Sequence, residues 1–410
     1  MIFNSFTQKL PSIRRDIDLI PIEDNGRSLI YFHDSMGYMP ENFALDVSAE
    51  PFLSLLRGFF SIDELLKQAN LSIDKKEFLH FIQLLDKNNI LESARFKLYR
   101  EKTEQEFEES AARDPFLADK SYPGNAAEFQ AFLDSAFGSH QSKDNQGRSD
   151  IRALYAPHID MSVGRNQYAE AFSALSGIAP KRVIILGTSH YAGLYYPLYE
   201  NILFIGSDKT FRIPGREFKP DSAVFESLAD RESASGFGFS LQDRAHRVEH
   251  SIETHLVFLS QIWKHDFSVV PILVSGFDEI MYHSSGEMAS NIQSFTKALR
   301  SQIDDDTFVL ISGDLSHVGR KFGDQQAASE MKAEVQKFDR AFMDASKKGD
   351  AGLMQQLMAI EYDKTRICGF PPLYTYLTMF PDTQGEEINY HWWDESERES
   401  AVSFGSLIYS

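Results

Sequence analysis

The chain has 410 residues, of which 42 % are hydrophobic and 25 % charged, and it carries a formal net charge of -19. That length and apolar content allow two or three domains, each with a real core. The acidity argues against a nucleic-acid partner, since phosphate contacts need clustered Lys and Arg.

A single cysteine, Cys368, leaves no internal disulfide framework and suits a reducing compartment. "MIFNSFTQKLPSIRRD" lacks an apolar segment of signal-peptide length, and no later run has the length of a membrane span. The expectation is a cytoplasmic protein that does not engage a membrane.

Residues 1–100 read as a small α+β unit. "LIPIEDNGRSLIYFHD" (Leu19 to Asp34) places two apolar runs around Asn25-Gly26, a strong hairpin signal. "SIDELLKQA" opens with Ser61 and Glu64 at capping-box spacing. "DKKEFLHFIQLLDKNNIL" repeats Phe78, Phe81, Ile82 and Leu85 at helical spacing and stops at Asn88-Asn89. "ESARFKLYR" is expected to be a closing strand, which together gives a winged-helix-like module. This stretch has 12 Lys and Arg against 14 Asp and Glu, so contact with protein is favoured over DNA. Residues 101–110 read as an acidic linker or solvated helix, and Ser139 to Asp150 as a loop.

From residue 111 to 410 strands and helices alternate, the pattern of an α/β domain with a largely parallel sheet between helical layers. The strand in "IRALYAPHID" runs into His158 and Asp160. "RVIILGTSHY" delivers His190, and "TFVLISGDLSH" delivers Asp314 and His317. Ligand crevices in open α/β sheets lie beyond the carboxyl ends of strands, so these side chains are expected to meet. Two further segments can join them. In "RVEHSIETHLVFL", His250 and Glu253 share a helical face, and in "TRICGFPPLYTYL" Cys368 sits on a turn constrained by Gly369 and two prolines. Imidazoles, carboxylates and a thiolate are transition-metal ligands.

Taken singly, each residue has a plainer reading. A histidine after a strand is more often a hydrogen-bonded structural group, and a lone cysteine is more often an inert buried thiol. Asp314 could cap a helix and His255 could line one. His33, His80, His140, His265 and His283 are read as structural. The repetition at three strand ends is what favours a metal-capable site.

The segments "APHID", "ILGTSHY", "EHSIETHLVFL", "PILVSG", "SGDLSHVGRKFG", "CGFPPL" and "SAVSFGSLIY", in this order between about Ala111 and Ser410, resemble the Memo-like family. The resemblance is strongest to its prokaryotic branch, the AmmeMemoRadiSam system protein B. It implies a three-layer α/β sandwich similar to class III extradiol dioxygenases, which hold non-haem iron. It further implies His158, His190 and Cys368 as metal ligands, with His250, Asp314 and His317 lining the same pocket as acid–base and orienting groups. Iron is the implied ion, with copper and zinc as alternatives. The implied partners are a radical SAM protein and an AMMECR-like protein, with a small molecule or peptide as ligand.

Two departures stand out. "PHIDM" replaces the family's "PHAGY" and adds Asp160, and "DLSHVG" replaces "DFCHWG". Against the dioxygenases, Cys368 stands where a carboxylate would complete a facial triad, which puts ring cleavage in doubt. Two functions compete: a metal-dependent redox enzyme, and a non-catalytic peptide- or ligand-binding module.

Overall fold

The structure, a computed structural model, describes residues 1–68, 73–138 and 148–410. Most of the loop expected at 139–150, including His140, lies outside the described residues. The chain divides into two compact units, Met1–Glu109 and Ser110–Ser410.

In the first unit β1 (Ile17–Asp24), β2 (Arg27–Asp34) and β3 (Ala44–Asp46) form an antiparallel sheet. Asn25 and Gly26 both take positive φ (50° and 74°), the backbone a two-residue turn between twisted strands needs. The helices are α1 (Glu50–Leu53), α2 (Ile62–Gln68), α3 (Lys75–Lys87) and α4 (Ala94–Glu109). Ser61 and Glu64 form the capping box at α2: Ser61 N donates to Glu64 Oε2 (2.8 Å), and Glu64 N donates to Ser61 Oγ (3.3 Å).

The expected closing strand at "ESARFKLYR" is instead the start of α4. Ser93 Oγ accepts from Phe96 N (3.1 Å) and caps the helix, and the residues that follow are strong helix formers without glycine or proline. Phe96 is buried beneath the Arg14 guanidinium, 4.4 Å from its ring centroid. The fully buried Arg14 pairs with Asp16 and with Asp34 (2.9 Å) and donates to Asn89 O (2.9 Å). It therefore ties the hairpin, the end of α3 and the start of α4 together. Removing one member of a buried ion pair leaves uncompensated charge, so Arg14→Ala should cost about 3–5 kcal/mol. The loss should be read as earlier hydrogen exchange of α4 amides in urea.

The second unit begins with β4 (Ala112–Arg113) and α5 (Ala126–Phe137). It continues through β5 (Ala153–Ala156), α6 (Met161–Ser173), β6 (Arg182–Thr188), β7 (Phe204–Gly206), β8 (Thr210–Ile213), β9 (Arg216–Phe218), α7 (Ser222–Ser235) and β10 (Phe239–Ser240). Then come α8 (His250–Ile262), β11 (Ser268–Val274), α9 (Asp278–Tyr282), α10 (Glu287–Arg300), β12 (Thr307–Ser312) and β13 (His317–Gly319). The unit ends with α11 (Ala328–Lys347), α12 (Ala351–Glu361), α13 (Phe370–Met379), β14 (Gly385–Glu395) and β15 (Ser400–Tyr409).

The main sheet has the order β10-β7-β11-β6-β12-β5-β15-β13, with β14 paired on β15, and β4-β8-β9 form a small separate sheet. Strands β11, β6, β12 and β5 pair in parallel, while β7 and β15 join this block antiparallel. Val183 and Ile185 of β6 enter the apolar cluster under α5, α6 and α8, together with Phe129, Phe172 and Leu256. The alternate residues Ile184 and Leu186 enter the cluster under α7, α10, α11, α12 and α13. A strand buried on both faces explains why its sequence is an unbroken apolar run. The fold is a three-layer α/β sandwich with a mixed sheet whose centre is parallel.

Among the described residues, no helix is long and apolar enough to cross a membrane.

Two buried histidines sit inside this core. His255 lies against Phe172 (ring centroids 5.7 Å apart), and neither ring nitrogen has a hydrogen-bond partner among the described residues. Burial lowers it to about 3. His246 has no partner at Nδ1 among the described residues and meets Ile205 O at Nε2 (2.9 Å); burial lowers it to about 4. Both are neutral in the folded chain and take up protons in the unfolded chain below about 6.5, so their stability contribution is complete above that pH and is lost on acidification. The stability should fall by about 2 kcal/mol for His255 alone between pH 7 and pH 5. His255→Leu should flatten the urea-midpoint profile over that interval by this amount.

Candidate metal centre

The level ends of the parallel block create the site. Ala156 of β5 pairs with Ser312 of β12, and Leu186 of β6 pairs with Ile311. The segments leaving these strands, which carry His158, His190 and Asp314, therefore emerge side by side. The start of α8 brings Glu249 and His250, and the turn before α13 brings Cys368.

The His158 and His190 ring centroids are 4.8 Å apart, those of His158 and His250 5.0 Å, and those of His190 and His250 4.6 Å. Cys368 Sγ lies 3.2 Å from His158 Nε2, and Asp314 Oδ2 lies 3.8 Å from the same nitrogen. Two sets of donor atoms fall within 4.8 Å of one another: His158, His190 and His250, and His158, Asp314 and Cys368. His158 belongs to both. The three ligands implied by the resemblance, His158, His190 and Cys368, thus take His158 and one member from each side of it.

Hydrogen bonds set the tautomers. Ser312 Oγ gives its one proton to Ser251 O (2.6 Å), so it accepts from His158 Nδ1 (3.0 Å). The His158 proton is therefore on Nδ1, and the Nε2 lone pair faces the cluster. Glu249 does the same for His190: its carboxylate accepts hydrogen bonds from His190 Nδ1–H (2.9 Å) and from the His190 backbone N–H (2.8 Å). A histidine whose far nitrogen is held in this way is the arrangement found behind metal-ligating imidazoles.

The charges follow from this geometry. Burial pushes His158 well below its ordinary value, with His190 and His250 adding to the effect. Burial, reinforced by His190, lowers His250 to about 4. Burial would raise Glu249, but the charge and hydrogen bond of His190 outweigh it and hold the carboxyl at about 2. Burial also works against a charged His190, and Glu249 reverses this, leaving His190 raised, with a side chain 28 % exposed. Asp314 is raised by burial to about 7, against the backbone N–H groups of His158 and Ile159 that it accepts (3.0 and 3.2 Å). Burial and the charge of Asp314 push the Cys368 thiol well above its usual range.

The remaining expected residues are placed differently. His317 lies outside both donor sets; its Nδ1 meets Leu315 O (3.1 Å) and Arg366 O (2.9 Å), which leaves Nε2 as an acceptor. Asp160 does not add a carboxylate to the cluster. It is exposed, caps α6 by accepting from Ser162 N (2.8 Å), and takes the Ser121 hydroxyl (3.0 Å). A short side chain at a helix start is drawn to the free amides there. Glu253 turns away from His250 into a buried pair with Arg113, joined by Tyr122 Oη and the amides of Phe116 and Leu117 (2.9 Å each). His33, His80, His265 and His283 belong to neither donor set.

Sequence reasoning missed Glu249, Ser312 and Arg113. Glu249 had a usable signal, an acidic residue immediately before the helix that carries His250. Arg113 has none, since it reaches Glu249 O (2.8 Å) and His246 O (3.0 Å) from more than 130 positions away.

Two glycines let the thiol approach. A Cβ on Gly313 would stand 2.1 Å from Gly369 Cα, and one on Gly369 would stand 2.3 Å from Tyr155 Oη. The turn holding Cys368 and the end of β12 are in backbone contact, with Gly369 N donating to Asp314 O (3.0 Å).

These features define an α/β protein whose parallel strands present imidazole, carboxylate and thiol donors at one edge. The family model described as Memo-like protein matches residues 113–408, and the chain belongs to that family. A MEMO1 family protein of Aquifex aeolicus is 25 % identical over 366 residues, covering 87 % of this chain and 90 % of that one. That span exceeds the second unit, so the likeness extends into the first. Protein MEMO1 of Xenopus tropicalis is 23 % identical over 290 residues, covering 68 % of this chain and 87 % of its own. A solved structure of an uncharacterized Escherichia coli K12 protein aligns with a TM-score of 0.39 and 13 % identity, over 63 % of this chain and 99 % of that one; this likeness is too low to bear on the site.

If Ser312 fixes the His158 tautomer, Ser312→Ala should weaken transition-metal binding about 10- to 100-fold. The same loss is expected for Glu249→Gln, both measured by competition with a chromophoric chelator.

Proposed function

We propose that the chain is a transition-metal-dependent redox enzyme acting on a small molecule or modified peptide, with His158, His190 and Cys368 holding the ion. The observation that carries this reading is His158: its Nδ1 proton is committed to Ser312, and its Nε2 lone pair is 3.2 Å from a thiol and beside two further imidazoles. Imidazole and thiol donors suit iron(II), copper or zinc better than magnesium or calcium, and the dioxygenase resemblance favours iron. When bound, such an ion supplies a Lewis acid and, for iron or copper, an exchangeable electron.

The chain's own residues do the rest. Glu249 orients His190, and Asp314 holds the backbone of His158 and Ile159. His250 and His317 are neutral near pH 7 and can take a proton at a ring nitrogen, His317 at Nε2. The radical SAM and AMMECR-like partners are part of this proposal, supported by the resemblance alone.

Elemental analysis of anaerobically purified protein, paired with oxygen consumption, tests the reading. One transition ion per chain is expected, absent in His158→Ala and weakened far more by Cys368→Ser than by Asp314→Asn. Full occupancy of Cys368→Ser by iron, copper and zinc alike would remove the thiol from the ligand set. Failure of the wild-type chain to retain any of the three would leave the non-catalytic binding module as the better reading.

A further inference from the structure

The segment between α12 and α13, residues 362–369, carries Cys368 on an unfavourable backbone. Among the described residues, only three outside Gly, Asn and Asp take a positive φ, and two of them lie here, Tyr362 (50°) and Arg366 (58°); Asp363 is at 51°. A Cβ disfavours this region, so such residues persist only where their surroundings hold them. Arg366 stands two positions before the thiol, so a change in its φ would swing Cys368 away from His158. The side-chain hydrogen bonds of Arg366 lead to β13 and the turn after it. Its guanidinium forks onto Asp324, with Nη2 donating to Oδ1 (2.8 Å) and Nη1 to Oδ2 (3.2 Å). Nη1 also donates to His317 O (3.1 Å). In return, His317 N donates to Thr365 O (2.7 Å) and His317 Nδ1–H to Arg366 O (2.9 Å). Asp324 is itself fixed by accepting from Gly319 N (2.8 Å). The bonds inside the segment, Arg366 N to Asp363 O (2.9 Å) and Ile367 N to Asp363 Oδ1 (2.7 Å), are local and travel with it.

We propose that Arg366 and Asp324 are a positioning pair for the metal centre: their fork keeps the Cys368 turn in its left-handed backbone and so keeps the thiol beside His158. The geometry speaks against a merely stabilising role. The Arg366 side chain is 40 % exposed and that of Asp324 13 %, and an ion pair so open to water adds little to global stability. What a forked pair does fix is direction, since two parallel N–H···O bonds allow one orientation of the guanidinium. The fork joins residues 42 positions apart. It ties the strand that bears His317 to the turn that bears Cys368, so the acid–base imidazole and the thiol are held by one contact. The inference rests on the proposed ligand set only where it speaks of the ion; holding the thiol needs no metal.

Cys368 is the single cysteine of the chain, so alkylation by iodoacetamide, followed by intact mass on the metal-free full-length protein, reports on this position alone. Arg366→Gln and Asp324→Asn should each raise the labelling rate at least about tenfold, with amide exchange in β6 and β12 unchanged. The double variant should label no faster than either single one, because the two residues act through one contact. Arg366→Lys keeps the charge but cannot fork, so it should also label faster; it decides the matter if Arg366→Gln does not fold. In the cobalt(II)-loaded chain, the near-ultraviolet thiolate charge-transfer band of the wild type should fall several-fold per bound ion in each variant, with cobalt still retained by the imidazoles. Unchanged labelling in the single variants overturns the proposal. So do multiplying effects in the double variant, β6 exchange that rises in step with labelling, or a full thiolate band in the variants. A wild-type chain that binds no cobalt, or binds it without that band, sinks the proposed ligand set, and the labelling rates then decide the positioning pair by themselves.

Discussion

The parallel pairing of β5, β12 and β6 is the constraint on which the site depends. Because Ala156 faces Ser312 and Ile311 faces Leu186 across the ladder, the three chains leave the sheet at one level. In-register parallel pairing is stabilised by burial on both faces, so the position of the donors is set by the core clusters around Ile184, Leu186, Leu310 and Phe308. A slip of one residue in any of these strands would exchange its two sets of core side chains. It would also withdraw a donor by about 3 Å along the strand. The apolar core and the polar edge are in this sense one structure.

The strand ends were legible in the sequence because they combine two short-range signals, a β-branched run and an abrupt change to polar residues. His158, His190 and Asp314 were read in that way, and Cys368 from the Gly369-proline turn that follows it; with His250, the structure brings their donor atoms into two sets that meet at His158. The hairpin at Asn25-Gly26 and the capping box at Ser61 were equally local and equally legible. The start of α4 was misread because "ESARFKLYR" alternates polar and apolar residues over a few positions. The Ser93 cap and the helix-forming stretch as far as Glu109 decide the outcome. Asp160 was misplaced for a related reason: its proximity to His158 in sequence says nothing about which amides compete for its carboxylate.

What no local signal conveys is the support behind the donors. Arg113 holds the carbonyls of His246 and Glu249 and pairs with Glu253 inside the protein. This fixes the entry into α8 at the point where Glu249 must meet two nitrogens of His190. A buried arginine with an acid and two carbonyls has its charge compensated and its donors used, which makes such a burial tolerable. Glu249 can then remain ionised beside imidazoles in a pocket that would otherwise neutralise it.

The thiol adds a constraint of a different kind. The approach of Cys368 to His158 requires two backbones to touch, and Gly313 and Gly369 are the residues that permit it. A Cβ at either position would stand within 2.1–2.3 Å of the facing atoms, so a side chain there would force the turn and the end of β12 apart and draw the sulfur away from His158. Thr188 reinforces the contact by sharing its one hydroxyl proton between Cys368 O (2.9 Å) and Ser312 O (3.2 Å), and Asp314 N points at the sulfur (3.3 Å). The backbone around Cys368 is therefore held from β6 and from the end of β12 at once.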